Sequence, residues 1–114
     1  MDRVKLSKGF IYAKGQGHCW YCGAFLNPFF GDFHIDHVQP TSRGGSEAYD
    51  NRVPCCNHCN SSKHNKTLEE FRRYTDVGTF RFERQGLTLD HVPLDLPPGW
   101  FTLNRVPMTT DWQR

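Results

Sequence analysis

Two Cys-x-x-Cys pairs constrain this chain more than any other feature. Cys19-Trp20-Tyr21-Cys22, followed by Gly23, and Cys56-Asn57-His58-Cys59 each let two thiolates turn toward one ion across a tight backbone knuckle. One such pair fits a redox motif equally well; two in a short chain fit a closed tetrahedral four-cysteine zinc site best. A zinc ion with all four positions filled is structural, and here it would tie together segments far apart in sequence. Cys55 is left over: Cys55-x3-Cys59 makes a poorer knuckle, so it is expected as a small core residue.

The cysteines matter because the core is small. With 114 residues, 37% of them hydrophobic, the chain has room for one domain of the size that commonly needs a metal or disulfide staple. Its five cysteines are bunched in two places and no apolar N-terminal segment resembles a signal peptide, which favours zinc in a reducing cytoplasm over a disulfide framework. No run approaches the roughly 20 apolar residues of a membrane span. The formal net charge of +2 is uneven: residues 1–75 hold ten Lys/Arg against seven Asp/Glu, giving +3, and residues 76–114 hold four against five, giving −1. Four zinc-bound thiolates would remove two positive charges on balance, so net charge by itself does not imply a nucleic-acid partner.

Residues 1–17 carry Lys5, Lys8 and Lys14 around Phe10 and Tyr12, and read as a loose basic arm with a short strand at 10–13. Such an arm suits phosphate contacts and a solvated terminus equally. A strand is expected at 33–38, stopped by Pro40, then a flexible Thr-Ser-Arg-Gly-Gly-Ser-Glu loop at 41–47 and a return strand at 51–54. A helix should begin near Asn57 and present Asn60 and Lys63 on one face. Thr67-Leu68-Glu69-Glu70 is a capping box that predicts a second helix over 68–74 with Leu68 and Phe71 inward. Residues 79–84 alternate like a half-buried strand with Phe80 and Phe82 on one side. The division expected is a core with a basic arm over 1–75 and a C-terminal extension over 76–114 packed on the same domain.

Inside this frame lie an Asp36-His37 pair, Asn51 after the Gly-Gly loop, and Asn60 directly after Cys59. A carboxylate, an imidazole and an amide oxygen are the ligand and base set of a single-metal phosphodiesterase. Neighbouring residues of a regular strand point to opposite faces, so Asp36 and His37 reach one phosphate only from a bulge or a strand end. Over roughly Cys19 to Lys66 the chain resembles the HNH endonucleases, in a His-Asn-Asn version formed by His37, Asn51 and Asn60.

The resemblance implies an α+β fold with a ββα-metal core, stapled here by zinc on Cys19, Cys22, Cys56 and Cys59. It implies that His37 is the general base, that Asp36 and Asn60 hold a catalytic Mg²⁺ or Mn²⁺ ion, and that Asn51 braces the backbone near His37. The expected activity is endonucleolytic hydrolysis of DNA, most simply double-stranded, by nicking or double-strand cleavage, leaving 5′-phosphate and 3′-hydroxyl ends. Lys63, Lys66, Arg43 and Arg52 are the candidate phosphate contacts. His34, two residues before Asp36, is a candidate to line the same site. The chain would act in the cytoplasm, away from membranes, as a monomer or homodimer. A non-catalytic zinc module binding nucleic acid or protein, and an RNA-directed nuclease, are the competing readings.

Overall fold

The computed structural model describes residues 8–27 and 32–93. Helix α1 (Lys8–Lys14) leads into the first cysteine knuckle; strand β1 (Phe33–His37) and strand β2 (Arg52–Cys56) follow, separated by two 3-10 turns at Thr41–Arg43 and Tyr49–Asn51. Then come α2 (Asn57–Lys63), α3 (Leu68–Thr75) and the short α4 (Arg81–Arg84). The strands form an antiparallel two-stranded sheet in unbroken register, from Phe33 opposite Cys56 to His37 opposite Arg52. This is the expected α+β arrangement: a ββα unit of β1, β2 and α2 with the four cysteines gathered at one end.

Residues 10–13 are helical, not a strand. Ile11, Tyr12, Ala13 and Lys14 are all fully buried, and four consecutive buried residues do not suit the one-in, one-out alternation of a half-buried strand. Lys14 is therefore no phosphate-gripping arm residue. Its Nζ donates to Tyr49 O at 2.8 Å and Arg52 O at 2.9 Å and lies 4.3 Å from the centre of the Tyr49 ring, fastening α1 to the chain entering β2. Lys5 lies outside the described residues.

The alternation at 79–84 also resolves differently. Glu83 accepts a hydrogen bond from Phe80 N at 2.7 Å and closes a turn, so Arg81–Arg84 coil into α4 where a strand was expected. Phe80 and Phe82 are nevertheless both buried. Phe82 stacks on Trp20 with centroids 5.1 Å apart, and Phe80 packs against Tyr21 and Phe71. Arg81 N and Phe82 N donate to Tyr21 O and Trp20 O, so this segment is laced to the first knuckle. Helix α3 has both capping-box bonds, Glu70 N to Thr67 Oγ1 at 3.2 Å and Thr67 N to Glu70 Oε1 at 2.9 Å, and buries Phe71.

Candidate active site and metal centre

The strand period sorts the adjacent cysteines of β2. Cys55 is fully buried beside Val53, and burial raises its thiol pKa far above the usual range, as befits an inert core residue. Cys56 turns the other way and caps α2, its sulfur accepting from Cys59 N at 3.4 Å. The first knuckle repeats the device, with Cys22 N facing Cys19 Sγ at 3.5 Å and Gly23 taking a positive φ of 85°.

The four sulfurs of Cys19, Cys22, Cys56 and Cys59 lie within 4.8 Å of one another, and Cys22 and Cys56 are 3.7 Å apart. Sulfurs around a tetrahedral zinc sit roughly 3.8 Å apart, given Zn–S bonds of about 2.3 Å, so the donor set fits the ion. A hydrogen bond from the Cys59 thiol, helped by backbone N–H groups, lowers the Cys19 pKa. Burial foremost pushes Cys22 up to about 11. Among the described residues this is the one cluster of cysteine, histidine or acidic groups with metal-site spacing.

A second site opens between the end of β1 and helix α2. Asp36, His37, Thr41, Ser42, Asn60 and His64 contribute to the walls of a cavity of about 250 Å³. His37 is the last residue of β1, and that strand end, with no bulge, lets it share the cavity with its neighbour Asp36. Asn60 arrives from the middle of α2, which the second cysteine pair anchors to β2. His34 does not line the cavity, although it lies on the same strand as Asp36.

Asp36 is 6% exposed, and its Oδ2 is held by Tyr21 Oη at 2.7 Å and Lys63 Nζ at 3.1 Å. Both contacts use Oδ2, so Oδ1 takes part in neither. Burial raises the Asp36 pKa; Lys63 and Tyr21 pull in the opposite direction. Lys63 is fully buried and also donates to His37 O at 3.0 Å. It cannot grip a phosphate as expected from sequence, because its ammonium is the internal counterion of Asp36.

The other basic candidates differ in access. Arg52 is 13% exposed at its side chain, and its Nε and Nη1 are buried without hydrogen-bond partners, which leaves little of it for a flanking phosphate. Arg43 is exposed and paired with Glu70, while Lys66 donates to Ser62 O and lies over the Tyr74 ring. The Asn51 side chain makes three hydrogen bonds: its Oδ1 accepts from Gln39 N at 2.9 Å, and its Nδ2 donates to Gln39 O at 3.0 Å and Ser46 O at 2.8 Å. It clamps the chain just after His37 to the loop that leads to β2.

Sequence reasoning missed three participants. Tyr21 reads as a spacer between two ligands, Glu47 as a loop acid, and His64 as one more surface histidine. His64 lies just past the end of α2, where its backbone turns to a positive φ of 51°, so helical spacing gave no signal for it. Glu47 lies with its Oε1 2.9 Å from His37 Nε2, a contact across a loop that no short-range pattern reveals.

With these two sites in view, the comparison with known families bears on the middle of the chain. Residues 19–66 match the HNH endonuclease family. The matched stretch starts at Cys19 and ends just beyond α2, so it contains both sites. Among solved structures, a crystal structure of the Type II-C Cas9 enzyme from Actinomyces naeslundii is similar in fold, with a TM-score of 0.57 and 21% identity. The match covers 71% of this chain and 8% of the Cas9 chain. No curated protein matches the chain.

Proposed function

We propose that this chain is a metal-dependent endonuclease that hydrolyses phosphodiester bonds in double-stranded DNA. The observation that carries the reading is the convergence of Asp36, His37 and Asn60, from strand and helix, on one cavity. Asp36 and Asn60 offer the oxygen donors that a hard ion such as Mg²⁺ or Mn²⁺ prefers, and Tyr21 and Lys63 fix the Asp36 carboxylate in place. When bound, that ion would stabilise the charge growing on the leaving 3′ oxygen. His37 takes the proton of a water whose oxygen attacks phosphorus in line, and the bond to the 3′ oxygen breaks to leave 5′-phosphate and 3′-hydroxyl ends. Asn51 steadies the backbone behind His37. The four cysteines hold a structural zinc that keeps α2, and with it Asn60, against the sheet. Arg43 and Lys66 are the basic residues left to meet the DNA backbone.

Purified protein with supercoiled plasmid and Mg²⁺ tests the reading. The parent chain should give nicked or linear products. His37→Ala should cut roughly 100-fold slower or worse, the usual scale of acid–base catalysis, with its zinc content and melting unchanged. Asn60→Ala should need more Mg²⁺ and keep its zinc. Intact plasmid with the parent chain would favour a binding module or an RNA substrate, and a His37→Ala variant cutting within a fewfold of the parent would reassign the base.

A further inference from the structure

The contact between His37 and Glu47 is absent from the reading above, yet the loop around it is built to make it. Gly45 packs so closely on β1's exit that a Cβ there would lie 1.7 Å from Gln39 O, so only glycine permits the approach. Gly45 N donates to Pro40 O at 2.9 Å, and Asn51 bonds both Gln39 and Ser46, the residue just before Glu47. These bonds close the loop and bring the Glu47 carboxylate to His37 Nε2 at 2.9 Å. Arg52 flanks the pair, its Nε 4.0 Å from the same Glu47 oxygen.

We propose that Glu47 is a positioning residue for the cleavage reaction: it holds His37 as the Nε2–H tautomer and thereby assigns Nδ1 as the atom that accepts the water's proton. The inference rests on the nuclease reading and deepens it. A neutral imidazole has one N–H and one acceptor nitrogen, and an ionised carboxylate only accepts. Glu47 is ionised at neutral pH, the hydrogen bond to His37 holding its pKa below the usual range. The proton must therefore sit on Nε2, between ring and carboxylate. Nδ1 keeps the lone pair, on a residue that lines the cavity. In the step this allows, one water proton passes to Nδ1, the water's electron pair forms the bond to phosphorus, and the P–O3′ pair leaves on the 3′ oxygen. The same three bonds of Asn51 then have two consequences: they fix the backbone after His37 and set the distance to its partner.

Glu47 is exposed at 66% of its side chain, so Glu47→Ala should fold and keep its zinc. Two readouts on the full zinc-loaded chain test the role. Long-range ¹H–¹⁵N correlation spectra of the imidazoles should show His37 as the Nε2–H tautomer in the parent and as a mixture in Glu47→Ala. Single-turnover cleavage of one duplex under saturating Mg²⁺ should fall roughly 10- to 100-fold, the usual cost of removing a partner that orients a working histidine, with little change in the DNA concentration needed for half-maximal rate. In Glu47→Gln, whose amide can present either oxygen or nitrogen to the ring, the rate should follow whichever tautomer the spectra record. Glu47→Ala that keeps the parent tautomer, or that loses it and still cuts at the parent rate, overturns the proposal. A parent chain that cuts nothing overturns the nuclease reading instead, and the spectra still decide whether Glu47 holds the ring.

Discussion

Asp36 and Lys63 form the buried ion pair on which the cavity wall depends. Their side chains are 7% and 0% exposed, so each charge has lost most of its water and relies on the other. Removing one partner of such a pair leaves the other charge uncompensated, and Lys63→Met should cost about 3–5 kcal/mol in denaturant unfolding. Arg43→Ala, which removes only a solvent-exposed pair with Glu70, should cost under about 1 kcal/mol. Equal costs would mean that Lys63 is not acting as counterion. The residues' identities were readable in the sequence, but this division of labour was not. A lysine one turn after Asn60 suits a phosphate contact on pattern alone, and only the packing of α2 on β1 shows its ammonium turned inward. Tyr21 escaped notice for the same reason: its hydroxyl meets Asp36 across a distance in sequence that no local spacing encodes.

At the level of elements, the readable parts were those with local chemistry. Thr67 and Glu70 announce α3 because both capping bonds lie within four residues, and Pro40 marks where β1 must stop. Helix α1 reads as a strand in the sequence because its commitment is tertiary: Tyr12 meets Leu26 O and Lys14 reaches β2. Lys14 also gives the docking of α1 a pH dependence. Burial brings its pKa from the ordinary 10.5 down to about 8, with Asp50 and Asp90 opposing the shift. Between those values the unfolded chain binds a proton that the folded chain has released, so stability rises with pH from about 8 to about 10.5. The neutral amine still has two hydrogens for Tyr49 O and Arg52 O. Unfolding at pH 7.5 and 9.5 should therefore show the parent gaining up to about 2 kcal/mol relative to Lys14→Met over that interval. A constant difference between the two proteins would refute the assignment.

For the whole molecule, the fold is legible to the extent that the cysteines dictate it. Two knuckles that meet must bring residues 19–22 beside the start of α2, and the ββα unit follows from that closure. What spacing does not convey is how the aromatic core continues from it, with Trp20 and Tyr21 lying between the ligands and packing on Phe82, Phe80 and Phe71. The cysteine cluster and the aromatic core are thus contiguous. Elemental analysis should find one tightly held zinc per chain, and Cys19→Ser or Cys59→Ser should lose both the metal and a cooperative melting transition. Retention of a sharp transition by either variant would show that the aromatic cluster suffices alone.

The buried lysine beside Asp36 has a consequence for the charge of the cavity wall. Because Lys63 already balances the carboxylate, the charge of Asp36 is paired within the chain itself. On the proposed reading, a metal at the four cysteines would serve assembly, whereas an ion at Asp36 and Asn60 would serve the reaction alone.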